Sequence, residues 1–456
     1  MRHRLAPLVV ALVLAIGLLA SPAGAQQTDT SLGLFIEAYR ILRDEALAQP
    51  TIETLLRGAD AGLRQALRGD SQAAPLPDLV LTGDERADIE QVVHRIEHVR
   101  TVLRARPASA IYAAISGMVA ALKDPNSGFY APDQFAQFVR RTRGDDFVGV
   151  GIVIEDRSGQ VVITEVLENS PAGEAGIRSG DVILAVDGIP TAGLSLDQVS
   201  QMIRGTEGTP VSLRIQRQGQ AESLNISVTR RRIQSRVVTT RILPSGMGYL
   251  RLTGFTQGSD RLFAESLQTL IDQGVKGIVL DVRGNPGGLL EMSVNIASHF
   301  LDRGVVVTLE SGRAPATSYT VRPRTPKYTG PLVVLVDRGS ASAAEVVAGA
   351  LQDAGIKLVG TRTYGKATVQ AVYQFRDGSG LRVTISRYLT PAGRDIDGQG
   401  LSPDIEVSTS GAPIGSPDDA PLNRAVAMLQ QAALAPQTAP APAPQLEPAP
   451  AHAAAR

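Results

Sequence analysis

The sequence predicts a multi-domain protein of mixed α/β class, in which a helical region precedes a β-rich segment and an α/β core. Three changes of pattern along the 456 residues support this prediction. Residues 31–140 carry apolar side chains at helical spacing, and short β-like runs separated by Gly, Pro, Asn and Asp follow them. From about residue 245, strands alternate with helices, which indicates a mostly parallel sheet. We place the helical region, the β-rich domain and the α/β core at residues 26–142, 145–230 and 231–410.

The composition narrows the classes of function. Lys and Arg together number 45, and so do Asp and Glu, so the net charge gives no reason to expect nucleic acid or an anionic membrane as a partner. The chain has no cysteine, which excludes disulfides, thiolate catalysis and Cys-ligated metals. We therefore expect the fold to be stabilised by packing alone.

Both ends of the chain differ from a packed domain. Residues 1–25 combine Arg2 and Arg4, an apolar run and Ala23-Gly24-Ala25, which is the layout of a cleavable secretory signal. We therefore expect an exported protein, periplasmic or otherwise extracytoplasmic, whereas an uncleaved segment would associate it with the inner membrane. We assign residues 411–456 to a Pro/Ala-rich tail, because alternating Ala and Pro favour an extended, unpacked chain.

The helical region contains one pattern that suggests a metal. The segment "HRIEH", residues 94–98, matches H-x-x-E-H, the zinc-and-base pattern of one metallopeptidase group, and a helix brings His94 and His98 to one face. Charged neighbours, among them Arg95 and Arg100, favour a solvated helix face instead. Because no third ligand can be assigned, we predict no metal and keep a metallopeptidase as an alternative.

The β-rich segment carries a set of turn motifs around its short strands. These are Ser170-Pro171-Ala172, Ala175-Gly176, Gly180-Asp181 and Val186-Asp187-Gly188. Together they resemble a PDZ domain over residues 145–230. The resemblance implies that the loop Gly149-Val150-Gly151 binds a terminal carboxylate through its backbone N–H groups, while the bound peptide adds a strand to the sheet edge. The alternative is that these glycines only make turns.

In the α/β core, two serines precede the apolar helix of "DRGSASAAEVVAGALQD", residues 337–353. Ser342 and Glu345 form the S-x-x-E pattern of a capping box, which explains a serine here without any catalysis. Three features favour catalysis at Ser340 or Ser342. The helix follows a buried-type strand, "PLVVLVD", and so begins at the carboxyl edge of the sheet, where α/β sites lie. The neighbouring residues are small, and a helix N-terminus offers free N–H groups to an oxyanion.

A serine nucleophile needs a base, and the histidines are poorly placed to supply one. Of the five, two lie in the predicted signal and tail, two lie on the charged helix, and His299 lies in the apolar helix "SVNIASHFL", where we expect it to be packed. A lysine can act instead if burial lowers its pKa. In "GKATVQAVYQF", strand alternation places Lys366 and Gln370 on one face, so that Gln370 could hydrogen-bond the lysine without adding a charge. The alternative for Lys366 is a solvated side chain in a turn.

Five ordered motifs of the chain resemble the carboxyl-terminal processing, or tail-specific, serine proteases. They are "ALKDPNSGFYAPDQF", "VLDVRGNPGGLL", "VDRGSASAAEVVAGALQD", "VGTRTYGKATVQ" and "RYLTPAGRDIDGQGLSPDIEV", and the resemblance extends from about residue 30 to residue 409. It implies that Ser342, not Ser340, is the nucleophile, that Lys366 is its general base and that Gln370 assists the lysine. It also implies an oxyanion hole formed by the backbone N–H groups of Gly287, Gly288 and Ala343.

The chain departs from the family pattern at three points without losing a reacting group. Ala367 stands after the lysine where glycine is common, and Ala344 stands before the glutamate where serine is common. The segment between Ser342 and Lys366 is one residue shorter than usual in the loop "DAGIK". These differences concern the geometry of the loop around the lysine.

The sequence therefore predicts an exported serine endopeptidase with a Ser342–Lys366 dyad that needs no metal or cofactor. We expect its substrates to be proteins with accessible apolar C-termini, bound by the PDZ domain and cleaved near that end. The resemblance also implies that the N-terminal helices form a homodimer, the alternative being a monomer whose helices cover the core. A second class of function is an adaptor with a PDZ domain and an inert protease core.

Overall fold

The computed structural model of the protein describes residues 30–434, except for short stretches at 69–73, 104–106, 144–146, 158, 168–169, 195, 234–236, 313 and 409–410. The predicted signal at residues 1–25 and the Pro/Ala repeat after residue 434 lie outside the described residues. The mixed α/β class is confirmed, with a helical region, a β-rich domain and an α/β core in the predicted order. Among the helices described, none has both the length and the apolar composition needed to cross a bilayer.

The N-terminal region forms a group of packed helices with one short strand before its last helix. Its elements are α1 (Thr30–Glu45), α2 (Ile52–Leu67), α3 (Glu85–Val102), α4 (Pro107–Ala121), β1 (Gly128–Tyr130) and α5 (Pro132–Arg143). Helices α2 and α4 approach closely because small residues face each other across the contact. A Cβ added to Gly62 would lie 2.0 Å from the carbonyl oxygen of Ala113. The small residues of α2 and α4 thus serve helix packing.

The β-rich domain is a sheet of short strands with one edge open beside a helix. Its elements are β2 (Phe147–Gly149), β3 (Ile152–Arg157), β4 (Gln160–Val166), α6 (Pro171–Glu174), β5 (Val182–Val186), β6 (Ile189–Pro190), α7 (Leu196–Ile203), β7 (Pro210–Gln216), β8 (Leu224–Thr229) and β9 (Arg231–Ile233). The strand order is β3-β4-β5-β7-β8, β6 pairs with β5, and β2 pairs with β9. Strand β3 is therefore an edge strand, and helix α7 lies against it.

The α/β core contains the predicted mostly parallel sheet. Its elements are β10 (Val238–Ile242), β11 (Gly248–Leu252), α8 (Ser259–Asp272), β12 (Ile278–Asp281), α9 (Leu290–Ala297), β13 (Val305–Glu310), β14 (Thr317–Thr320), β15 (Leu332–Val336), α10 (Ala343–Asp353), β16 (Lys357–Gly360), β17 (Thr368–Gln374), β18 (Gly380–Leu389), β19 (Ile405–Glu406) and α11 (Ala420–Leu434). Six strands follow the order β10-β11-β12-β15-β16-β19, and all pairs except β10–β11 are parallel.

The prediction that residues 411–456 form an unpacked tail is wrong for residues 411–434. Helix α11 covers the second face of the parallel sheet, where Leu422 and Leu429 pack against strand residues such as Val279 and Val333. Helices α8, α9 and α10 cover the first face. A parallel strand that is apolar along its whole length is buried on both faces, so the sheet needs a cover on each side.

A second, antiparallel sheet joins the N-terminal region to the core. Strand β18 pairs with β1, β13 and β17, and β14 extends the sheet beyond β13. One face of this sheet contributes Val369 and Tyr388 to the core of the parallel-sheet layer. Its other face contributes Leu381 and Val383 to the core of the N-terminal helices. The N-terminal region and the α/β core therefore share a sheet, and the predicted boundary at residue 142 does not separate independent packing units.

Candidate active site

Ser342 lies at the turn between strand β15 and helix α10. It is half-buried and stands at the N-cap of the helix, as the capping-box pattern predicts. Its backbone, however, has φ 55° and ψ −118°, unlike the extended conformation of an ordinary N-cap. A positive φ costs a residue other than glycine about 1–3 kcal/mol and persists only when surrounding contacts fix it. The contacts around Ser342 therefore hold it in a conformation that it would not adopt by itself.

Ser340 has a different environment, which is entirely structural. Its side chain is fully buried. The hydroxyl donates to the carbonyl oxygen of Val282 at 2.8 Å and accepts from the backbone N–H of Asp337 at 3.0 Å. Ser340 therefore ties the turn after β15 to the neighbouring strand end, and its hydroxyl is already engaged in that role.

The carboxylate of Glu345 connects the serine to the lysine loop. Glu345 is fully buried on helix α10, and one of its oxygens accepts from the backbone N–H groups of Ser342 and Lys366 at 3.0 and 2.9 Å. The other oxygen accepts from the Thr363 hydroxyl at 2.5 Å and the Gly365 N–H at 2.7 Å. Two segments that are far apart along the chain are thus fixed to one charged group.

Tyr388 connects the same two residues from their carbonyl side. Its hydroxyl lies 2.8 Å from the carbonyl oxygen of Lys366 and 3.1 Å from that of Ser342. Tyr388 belongs to strand β18, and its side chain is almost wholly buried. Burial raises its pKa well above the ordinary value, and the charges of Glu345 and Asp397 raise it further, so the hydroxyl keeps its proton. The structure therefore brings the backbones of Ser342 and Lys366 together through two buried side chains.

Lys366 is half-buried, and its pKa is lowered. Burial is the main cause, the positive charge of Arg382 lowers the pKa further, and the negative charge of Asp124 opposes both. Within the described part of the chain, Lys366 takes part in no ion pair. Its environment thus makes the lysine easier to deprotonate than a solvated one, and the neutral amine is the form that can accept a proton.

The N-terminal region supplies part of this environment. Asp124 lies just before β1, and Ser127 donates a hydrogen bond to it. Burial by itself raises the pKa of Asp124, but hydrogen bonds from Ser127, Thr384 and Asn126 outweigh that effect and lower it. The Nε of Arg382 donates to the carbonyl oxygen of Asn126 at 2.7 Å. The "DPNS" motif therefore packs beside the lysine although it lies more than 200 residues before it.

Gln370 has partners other than those predicted. Its amide nitrogen donates to the hydroxyls of Thr368 at 2.9 Å and Thr384 at 3.3 Å. No hydrogen bond joins Gln370 to Lys366 in the described residues. A β-bulge between Val369 and Gln370 interrupts the regular pairing of β17 with β18, so strict strand alternation from Lys366 does not hold here.

The three predicted oxyanion-hole amides are not equivalent. The N–H of Gly287 donates to the side-chain oxygen of Asn285 at 2.9 Å, so this prediction is corrected: the amide is already engaged. Gly287 instead allows a close approach, because a Cβ at this position would lie 2.8 Å from Cβ of Ser342 and 2.9 Å from the nitrogen of Ala343. The N–H groups of Gly288 and Ala343 donate to no other group among the described residues.

Sequence patterns alone do not reveal the roles of Glu345 and Tyr388. The capping-box spacing predicts the hydrogen bond from Ser342 to Glu345, but it does not predict the bonds from residues 363–366. Tyr388 lies in "RYLTPAG", which carries no such signal, because its contacts are made only when β18 packs beneath both loops.

The predicted tail-binding loop lies at the start of the β-rich domain. The carbonyl oxygens of Val150 and Gly151 accept from Ala172 and Leu167, which fixes the loop, and Gly149 pairs with Arg231 at the end of β2. The N–H groups of Val150 and Gly151 donate to no other residue of the described ranges. The loop leads directly into β3, the open edge strand beside α7.

The histidines lie away from this arrangement. His94 and His98 are both exposed on α3, as the charged-face interpretation predicts. His299 is buried, its Nδ1 lies 2.5 Å from the carbonyl oxygen of Pro326, and burial lowers its pKa. In the ranges that the structure describes, no group of three or more His, Asp or Glu side chains could hold a metal ion.

Comparison with known proteins agrees with this architecture. Residues 246–407 match the model of peptidase family S41, and residues 162–217 match that of the PDZ domain. The carboxyl-terminal-processing protease of Synechocystis sp. is 36% identical over 344 residues, which cover 74% of this chain and 80% of the relative. The chloroplastic C-terminal processing peptidase of Tetradesmus obliquus is 38% identical over 65% of this chain and 68% of its own.

A solved structure gives the same result. The photosystem II D1 C-terminal processing protease has a TM-score of 0.55 and 30% identity, covering 88% of this chain and 97% of that one. Fold, site and matches together define a serine-type peptidase that carries a PDZ domain. More specifically, the chain belongs to the carboxyl-terminal processing proteases of peptidase family S41.

Proposed function

We propose that this peptidase cleaves proteins by a Ser342–Lys366 dyad, and that it is exported and selects substrates by their C-terminal tails. The observation that carries the dyad is that Glu345 and Tyr388 each contact the backbones of both residues. A serine in a strained conformation thus lies beside a lysine with a lowered pKa. Among the described residues, no other serine and lysine form such a pair.

In this mechanism, neutral Lys366 accepts the proton of the Ser342 hydroxyl as the serine oxygen attacks the peptide carbonyl carbon. The tetrahedral oxyanion accepts hydrogen bonds from the N–H groups of Gly288 and Ala343, the latter at the N-terminus of helix α10, where the helix dipole adds to the effect. The C–N bond then breaks, the leaving amine takes the proton from Lys366, and Ser342 is acylated. Water then attacks the ester carbonyl carbon while neutral Lys366 accepts its proton, the bond to the Ser342 oxygen breaks, and Lys366 returns the proton to that oxygen as the second product leaves.

Selection of tails is supported by the geometry of the PDZ domain. An extended peptide could pair with the open edge of β3, while the unused amides near Val150 and Gly151 bind its terminal carboxylate. Partly buried apolar residues at this edge, Ile152 of β3 and Met202 of α7, would favour an apolar last residue in the groove. Amidation of a competing peptide's C-terminus should therefore abolish its inhibition, whereas equal inhibition by the free acid and the amide contradicts tail selection.

The dyad is tested by Ser342→Ala and Lys366→Ala on a protein substrate with an apolar tail. Each change should reduce kcat to background, because groups that act as a unit fail when either is removed. Lys357→Ala is a matched control, since Lys357 is exposed and paired with Asp404. Ser340→Ala should lower stability but retain most of the activity of the folded protein. Activity of Ser342→Ala, or an inactive but folded Ser340→Ala, would show that the nucleophile is assigned to the wrong serine.

Two further parts of the proposal concern the whole protein. Export rests on the signal-like residues 1–25, and N-terminal sequencing of the mature protein after cell fractionation tests it: a start near residue 26 in an extracytoplasmic fraction is expected. The homodimer through the N-terminal helices rests on the resemblance to the carboxyl-terminal processing proteases. Light scattering at micromolar concentration should give twice the chain mass, and a monomer would contradict this part.

A further inference from the structure

Tyr388 makes contacts that the peptidase mechanism does not yet use. Its hydroxyl has one proton and faces two carbonyl oxygens, that of Lys366 at 2.8 Å and that of Ser342 at 3.1 Å. Two carbonyl oxygens cannot bond to each other, since both are acceptors. A shared proton is what allows them to lie side by side. The phenol therefore sets the distance between the two peptide groups.

The Ser342 carbonyl belongs to a strained segment. The φ of Ser342 is 55°, its N–H is held by Glu345, and its carbonyl oxygen accepts from both Val346 and Tyr388. Glu345 and Tyr388 therefore fix the residue from its two ends. Tyr388 itself has little freedom, because its own N–H donates to the carbonyl oxygen of Ala367 at 2.8 Å and its ring is buried in the core.

We propose that Tyr388 is a positioning residue of the peptidase reaction: its hydroxyl holds the backbones of Ser342 and Lys366 at the separation that proton transfer requires. This inference rests on the proposed Ser342–Lys366 dyad. It concerns alignment of the reacting pair and not substrate binding, because the side chain is buried and its partners are two backbone carbonyls. Loss of the hydroxyl leaves those carbonyls facing each other and removes the restraint on the carbonyl side of the lysine loop, while the bonds from Glu345 on its N–H side remain.

The test is Tyr388→Phe, which removes one oxygen and keeps the packed ring. Tyr328→Phe is the matched control, because Tyr328 lies in the same core and its hydroxyl donates to a single carbonyl oxygen, that of Pro331, at 3.1 Å. A merely structural role predicts equal small falls in melting temperature and no other effect. The readouts that separate the two roles are kcat against KM, and the rate at which a small fluorophosphonate labels the serine.

We expect kcat of Tyr388→Phe to fall by about 10²-fold, the effect of a small misplacement of reacting groups, with KM within about twofold of wild type. The fluorophosphonate rate should fall in parallel, since this probe needs the activated serine but no bound tail. Tyr328→Phe should keep the wild-type values of both. All measurements are made well below the melting temperature of each variant.

If Tyr388→Phe keeps kcat and labelling rate within about twofold of wild type, or if Tyr328→Phe loses as much, the positioning role is overturned. Wild-type labelling at Ser342, absent in Ser342→Ala, shows in the same experiment that the proposed dyad itself stands. Wild-type protein that is not labelled at Ser342 would instead overturn the dyad, and the inference with it.

Discussion

Replacement of Glu345 by Gln is the most informative single change, because this carboxylate accepts four hydrogen bonds inside the protein. A glutamine side chain keeps the size but offers one acceptor oxygen, and its NH₂ group would face two donors: either the Ser342 and Lys366 N–H groups or the Thr363 and Gly365 pair. Hydrogen bonds to charged groups contribute about 1.5–3 kcal/mol each. Loss of two predicts that the free energy of unfolding falls by about 3–6 kcal/mol.

Glu345→Gln should also slow the reaction, since the two donors left without an acceptor belong to the Ser342 turn or to the lysine loop. We expect kcat to fall by at least about 10²-fold in protein that is still folded by circular dichroism. The control is Asp404→Asn, which removes a carboxylate that accepts from a strand N–H far from the site. Glu345→Gln with wild-type kcat, or no more damaging than Asp404→Asn, would refute the reasoning.

Three further predictions follow from other parts of the molecule. Arg382 lowers the pKa of Lys366 and Asp124 raises it. Arg382→Gln should therefore move the rising limb of the kcat–pH profile to higher pH, and Asp124→Asn should move it to lower pH, while Arg382→Lys leaves the profile in place. Shifts of the same sign for Arg382→Gln and Asp124→Asn would contradict this prediction. Truncation after residue 410 removes α11 and the Asp419 partner of buried Arg283. Loss of the two buried leucines of α11 alone should lower the free energy of unfolding by about 3–6 kcal/mol, so insoluble protein is expected. Truncation after residue 434 should leave solubility and activity unchanged. If the PDZ domain gates the site instead of only tethering substrate, an uncleavable C-terminal peptide should speed cleavage of a short internal peptide, and no change or competition indicates tethering.

The sequence was sufficient to predict the α/β core because its strands and helices alternate in long, regular segments. It did not reveal the role of α11, although a signal existed. Leu422, Ala425 and Leu429 recur at helical spacing, and strands that are apolar on both faces require a second cover. The Ala/Pro alternation that predicts an unpacked tail begins only after residue 434.

At the site, motif order identified the two residues that the fold brings together, but hydrogen-bond partners depend on geometry that no local pattern contains. The bulge at Val369 turns Gln370 toward two threonine hydroxyls, and Asn285 takes the Gly287 amide that resemblance had assigned to the oxyanion hole. Tyr388 contacts both loops only because β18 packs beneath them. Such contacts arise from tertiary packing between segments distant in the chain.

The central claim is that Ser342 attacks the substrate and Lys366 is its base, and covalent labelling with a fluorophosphonate tests it most directly. Peptide mapping of the labelled protein by mass spectrometry should find the adduct on Ser342, at a rate that rises with pH as Lys366 loses its proton and that collapses in Lys366→Ala. An adduct on Ser340, or a labelling rate unchanged by Lys366→Ala, would contradict the account.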